Sequence, residues 1–172
     1  MLITMSRDHF NSLKDEELPR ACFEHIIPLI RGKNTSVKEE IYKKLSKKQK
    51  ALFMFNAYYN HAINSLVEFY WWSSYYLAQP NAWSEIKKAL QYFNAELMLH
   101  IILEIEEALK DKIEVEYMES FEVPYKELQR NPELYNTINR IFTNLNEISL
   151  STLTIIGKNI RNNPYEFIYF GE

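Results

Sequence analysis

Apolar residues recur at three- and four-residue intervals along nearly the whole chain, the period of helices that turn one face inward. The pattern predicts a short helix over residues 6–14. A second follows Pro19, with Cys22, Ile26, Leu29 and Ile30 on its apolar face. Pro28 within it is expected to kink or shorten it, because proline lacks a backbone donor and crowds the preceding turn. Gly32 supplies a left-handed stop. Ser36-Val37-Lys38-Glu39 reads as a capping box opening a basic helix to Leu45, and Ser46-Lys47-Lys48-Gln49 as another. From there one apolar face runs through Leu52, Phe55, Tyr59, Ile63, Leu66 and Tyr70 into an aromatic run that stops at Pro80.

Asn81 is expected to cap a central helix carrying Trp83, Ile86, Leu90, Phe93, Leu97, Ile101 and Ile105 on one face. Asn131-Pro132 starts a last long helix through Leu134, Ile138, Ile141, Leu145, Thr152 and Ile156, and Asn162-Asn163-Pro164 closes it. The tail from Tyr165 to Phe170 is too apolar to be left free and is expected to dock on the body. Residues 113–123 fit an edge strand, an extended loop or a helical extension. With neither repeat nor linker in view, the expectation is a single all-α domain over residues 1–172, built of about seven or eight helices, with a short extended segment near 113–123 as an option.

Composition changes this picture little. At 47% hydrophobic and 25% charged residues the chain is an ordinary globular one. No apolar run is long enough for a membrane span and the first residues lack a signal-peptide pattern. The single cysteine, Cys22, cannot form an internal disulfide. A cytoplasmic protein that does not enter membranes is expected. Only three glycines occur in the chain, which argues against a glycine-rich phosphate loop.

Charge is uneven. Residues 31–50 carry eight basic side chains against Glu39 and Glu40, a local net of +6, whereas residues 104–122 carry eight acids against Lys110 and Lys112, a local net of -6. Helical spacing puts Glu96, His100, Glu104, Glu107 and Asp111 on one stripe. A metal site would need a third or fourth clustered ligand, yet His9, His25, His61 and His100 are scattered, so a solvated acidic face is expected, with neither metal nor cofactor. Cys22 and His25 share a helix face without an orienting group, which reads as core rather than nucleophile and base. The basic stretch reads as a solvated surface in a chain of pI 5.9, with no direct nucleic-acid contact expected.

Thirteen of the twenty-five aromatics, and all three tryptophans, fall between residues 53 and 93. Six of them crowd Phe69 to Tyr76 and cannot share one helix face, because consecutive side chains diverge by about 100°. Some must meet a second element, the tail, a subunit interface or solvent. No catalytic residue is assigned, and the chain reads as a non-enzyme.

Two places resemble the DNA mimic protein 19-like family, a domain of unknown function. The close, Ile160-Arg161-Asn162-Asn163-Pro164-Tyr165-Glu166-Phe167, is similar to that family's ending, with Arg161, Pro164 and Phe167 as landmarks. Leu45 through Gln49, Ile63-Asn64 and Phe69-Tyr70-Trp71 follow the order of its other landmarks, so the resemblance spans 45–168 and marks Asn64, Phe69, Tyr70 and Trp71. The chain departs where the family places two glycines, having Ser65-Leu66-Val67-Glu68 instead.

The resemblance implies a helical, often dimeric protein that presents acidic side chains to a basic DNA-binding protein. Here that face would comprise Glu96, Glu104, Glu107, Asp111, Glu114, Glu116, Glu119 and Glu122. A non-enzymatic protein-interaction module is therefore the leading expectation. A toxin-immunity protein is one alternative. A helical bundle that binds a small molecule, or acts on one, through an aromatic pocket near 69–83 is the other; that alternative requires a cavity holding a polar group such as Asn64, Glu68 or His61.

Overall fold

Ser6, Asn34, Ser46, Ser65 and Asn131 each turn a side-chain oxygen onto the backbone N–H three residues ahead, and each starts a helix. The computed structural model describes residues 3–110 and 122–171. In chain order these form β1 (Ile3–Met5), α1 (Arg7–Ser12), a 3-10 turn at Asp15–Glu17, α2 (Leu18–Ala21) and a second such turn at Glu24–Ile26. There follow α3 (Ile27–Ile30), α4 (Thr35–Lys44), α5 (Lys47–Ala62), α6 (Leu66–Leu77), α7 (Pro80–Tyr92) and α8 (Glu96–Leu109). The chain continues with α9 (Glu122–Arg130), α10 (Pro132–Asn162), a 3-10 turn at Pro164–Glu166 and β2 (Ile168–Phe170). The fold is all-α. No helix among the described residues is long and apolar enough to cross a membrane.

The 31-residue α10 forms the spine and packs along α8, α2 and the Asp15–Glu17 turn, while α5 packs on α6 and α7. Phe55, Phe69, Ile86, Ile102, Ile105, Ile138 and Phe167 are fully enclosed between these layers. A second, smaller cluster of Phe23, Ile26 and Leu45, joined by Ile30, Ile41, Tyr42 and Phe53, fastens α3 and α4 to α5.

The tail docks as expected, but as a strand. β2 pairs in parallel with β1 in the register Ile3 with Ile168 and Met5 with Phe170. The proposed extended segment near 113–123 lies outside the described residues, apart from the start of α9. Several boundaries differ from the sequence expectation, among them the start of α7, where Gln79 rather than Asn81 holds the N-cap position and Pro80 opens the helix. Asn34, not Ser36, caps α4, accepting from Val37 N–H at 3.0 Å. The segment after Pro19 is split into two single turns of α-helix around a 3-10 turn, the shortening that Pro28 foretold. The two long helices are each broken, at Ile63-Asn64-Ser65 and at Asn94, where φ reaches 55°.

Candidate functional site

The break before α6 swings the aromatic run across α5, and the second cluster holds α3 and α4 opposite it. Between them lies a groove of about 880 Å³. Its floor is the face of α5 that carries Phe53, Met54, Asn56, Ala57, Asn60 and His61. One wall is Trp72, Tyr75 and Tyr76 of α6 with Asn81 and Glu85 of α7. The other is Ile27, Ile30, Arg31, Gly32, Lys38, Glu39, Tyr42 and Lys43. Such a volume falls within the size range of small-molecule sites.

The rings of the α6 wall support one another. Trp71 stacks on Tyr75 at 5.1 Å and 8°, and Trp72 meets Trp71, Tyr75 and Tyr76 at 4.5, 5.5 and 6.0 Å. His61 stacks on Trp72 at 4.1 Å and 20°. The Trp72 indole N–H is buried without a hydrogen-bond partner, a cost that these ring contacts offset. Below them, Tyr58 and Ser73 share a buried hydrogen bond of 2.8 Å, and the Tyr76 hydroxyl donates to the Ala57 carbonyl at 3.2 Å. The wall is thus anchored to α5 by polar contacts as well as packing.

The polar groups of the groove are partly committed. The Asn60 amide donates to Asn56 Oδ1, and Asn64 donates to Glu68 at 3.0 Å, which leaves each with a free carbonyl oxygen and a second N–H. Glu85 accepts from Lys88 at 2.8 Å and from the Tyr42 hydroxyl at 3.4 Å. Burial, with Glu85 beside it, pushes the Tyr42 hydroxyl up to about 12, so it keeps its proton at neutral pH. Loss of solvent holds His61 below its ordinary value; Glu68 opposes this and Arg31 adds to it. Its imidazole is neutral near pH 7 and can donate at one nitrogen and accept at the other.

The acidic stripe is placed differently. Glu96 and Glu107 are exposed on α8, but Glu104 pairs with Arg140 of α10 and Glu107 with Lys110. The neighbouring Glu106 takes Lys87 of α7 at 2.8 Å. Part of the sequence's negative charge is therefore met within the fold. Asp111, Glu114, Glu116 and Glu119 lie outside the described residues, while Glu122 begins α9. Among the described residues no group of three or more His, Cys, Asp or Glu side chains gathers as a metal site. Cys22 is buried, and burial pushes its thiol up to about 12, which makes it a poor nucleophile.

The landmark residues divide. Asn64 lines the groove. Phe69 is fully buried against Phe142, Tyr70 donates to Glu127 at 2.6 Å, and Trp71 backs the aromatic wall. Arg161, Pro164 and Phe167 bind the chain ends: Arg161 donates to Asp15 at 2.6 Å and to the Leu13 carbonyl at 2.7 Å, Pro164 opens a 3-10 turn, and Phe167 is 2% exposed.

No family model, curated protein or solved structure matches this chain. The groove joins residues that the sequence presents as separate features. The pocket alternative had the rings and named His61 and Asn64. Missing were Asn60, Tyr42, Arg31, Lys38 and Lys43 on the floor and facing wall. For Arg31, Lys38 and Lys43 the sequence signal was the basic stretch itself, visible only as charge until the groove is seen to join α4 and α6.

Proposed function

We propose that the protein is a non-enzymatic binding module that takes a small planar molecule into the groove between α4 and α6. The observation that carries this is an 880 Å³ groove combining Trp72, Tyr75 and Tyr76 with the half-free amides of Asn60 and Asn64 and the neutral imidazole of His61. Rings supply apolar and stacking area, and a few convergent polar groups fix orientation, which is how small-molecule sites select their ligands. The buried Cys22 lies outside the groove, so its lining offers recognition rather than an activated nucleophile. The test is a fluorescence and ligand-observed NMR screen of neutral and charged heteroaromatic compounds against the wild type, Trp72→Ala and Asn60→Ala. Hits that lose affinity in both variants support the groove. Hits insensitive to both place the binding elsewhere and remove the proposal.

A second function, contact with a basic protein through α8, has its own supporting observation. Leu103 is 44% exposed and sits at helical spacing between Glu96, His100 and Glu107, an apolar anchor inside an acidic stripe. A DNA-mimic role, the one the family resemblance implies, belongs to this face. It requires a partner whose binding weakens steeply with salt and is lost on Glu96→Lys with Leu103→Ala. A complex indifferent to both changes ends it.

A further inference from the structure

Ring-bearing and charge-bearing residues are not mixed in the groove. Trp72, Tyr75, Tyr76 and the amides stand on α5, α6 and the break between them, while Arg31, Lys38 and Lys43 stand together on the α3–α4 side. All three cations are exposed, and none forms an ion pair among the described residues. Two carboxylates also line the groove, but Glu85 is already met by Lys88 and Tyr42, which leaves Glu39 alone against three free cations. The far wall therefore favours an anion. Arg31 lies near enough to His61 to act on its charge, so the cationic wall reaches the stacked rings.

Gly32 fixes this placement. Its φ of 68° is a left-handed turn, and a Cβ added there would meet nothing within 4 Å, so the glycine serves the chain direction rather than a close contact. The turn ends α3 and leads into α4, so that Arg31 before it and Lys38 after it face one groove.

We propose that the ligand of the groove is a free mononucleotide, its base packed against the α6 rings and its phosphate held by Arg31, Lys38 and Lys43. This rests on the groove being the ligand site. The half-free amides of Asn60 and Asn64 each offer one donor and one acceptor in a plane, the pattern that matches the edge of a nucleobase. With no cluster of glycines to present backbone N–H groups, the phosphate is bound by side-chain charge, which makes affinity sensitive to salt. A single ring would leave much of an 880 Å³ space unfilled; base, sugar and phosphate together occupy more of it.

The test titrates the full chain with the four ribonucleoside 5′-monophosphates, their nucleosides and a short single-stranded oligonucleotide, reading tryptophan fluorescence and calorimetry. At least one monophosphate is expected to bind about ten-fold or more tightly than its nucleoside, from charged hydrogen bonds to the phosphate. Arg31→Gln with Lys38→Gln should remove most of the monophosphate's advantage over its nucleoside, with Lys43 keeping the remainder; an undiminished advantage overturns the phosphate site. Both side chains are exposed, so the fold should survive, and circular dichroism checks that it does. Equal affinity for nucleoside and monophosphate overturns the mononucleotide while the groove stands. An oligonucleotide preferred by about ten-fold or more over every monophosphate overturns it in favour of a single-strand site. If no nucleotide or nucleoside binds while other planar compounds do, the mononucleotide alone falls; if nothing binds, the groove falls with it.

Discussion

Gly157 sits five residues from the end of α10, where alanine would be the better helix former by about 1 kcal/mol. The backbone explains the glycine. A Cβ at this position would overlap the carbonyl of Asp15, so the helix and the Asp15–Glu17 turn touch main chain to main chain. One helical turn further on, Arg161 grips the same turn through Asp15 and the Leu13 carbonyl and lies over the Phe10 ring at 5.2 Å. Close approach comes first, and the arginine locks it. Gly157→Ala should therefore destabilise the protein by about 2–3 kcal/mol, the usual cost of overpacking, and lower Tm by roughly 5–10 °C. Lys158→Ala, on the exposed side of the same turn, is the neutral control. A rise in Tm for the glycine variant, as helix propensity alone predicts, would disprove the close contact.

The break between α7 and α8 shows how a turn hides inside a continuous period. Ala95 N–H bonds to the Leu90 carbonyl at 2.9 Å and Asn94 N–H to that of Gln91 at 3.1 Å, the two bonds of a Schellman motif with Asn94 left-handed. Leu90 and Ala95 are both buried, which completes the motif's apolar contact. Asparagine tolerates this conformation and most residues do not. Asn94→Gly should be neutral or slightly stabilising, whereas Asn94→Val should cost about 1–2 kcal/mol, read as a lowered urea midpoint at unchanged slope. Equal midpoints for the two variants would contradict the motif.

The sequence could not reveal this turn because Phe93 and Met98 remain inward on both sides of it. The α5–α6 break was more visible: Ser65-Leu66-Val67-Glu68 has the serine-to-glutamate spacing of a capping box, and Ser65 does cap α6, although Glu68 turns to Asn64 instead. Local signals were enough for the α10 start at Asn131-Pro132 and the Ser46 cap, and apolarity alone for the docked tail. It could not say which rings of Phe69 to Tyr76 go where. Phe69 and Tyr70 enter the core while Trp72, Tyr75 and Tyr76 face the groove, a division decided by which neighbours α6 meets. The facing wall was harder still, because a few apolar contacts of Phe23, Ile26 and Leu45, far from the rings in sequence, set it in place.

Charge across the molecule links the groove to stability. Two histidines are held away from solvent, His25 in the turn before α3 and His61 in the last turn of α5. His25 is held below the ordinary 6.5 first of all by loss of solvent, and both its ring nitrogens are buried without a hydrogen-bond partner. His61 is also held below it, by burial against Trp72 and by Arg31. A group whose pKa is lower in the folded chain than in the unfolded one lets the unfolded chain bind the extra proton. Its contribution is therefore complete above the unfolded value of 6.5 and declines as pH falls through 6.5 toward the folded values. The urea midpoint should drop between pH 7.5 and pH 5.5, and His25→Gln with His61→Gln should flatten that drop even if the double variant is weaker at pH 7.5. An undiminished drop in the variant would mean that other groups carry the pH dependence. His61 adds a second readout, because protonating it puts another cation beside Arg31. Binding in the groove of an anion whose own charge is constant between pH 7.5 and pH 5.5, unlike a phosphate monoester with its second pKa of about 6, should therefore tighten over the same interval in which the free protein loses stability, and His61→Gln should abolish that tightening while His25→Gln does not.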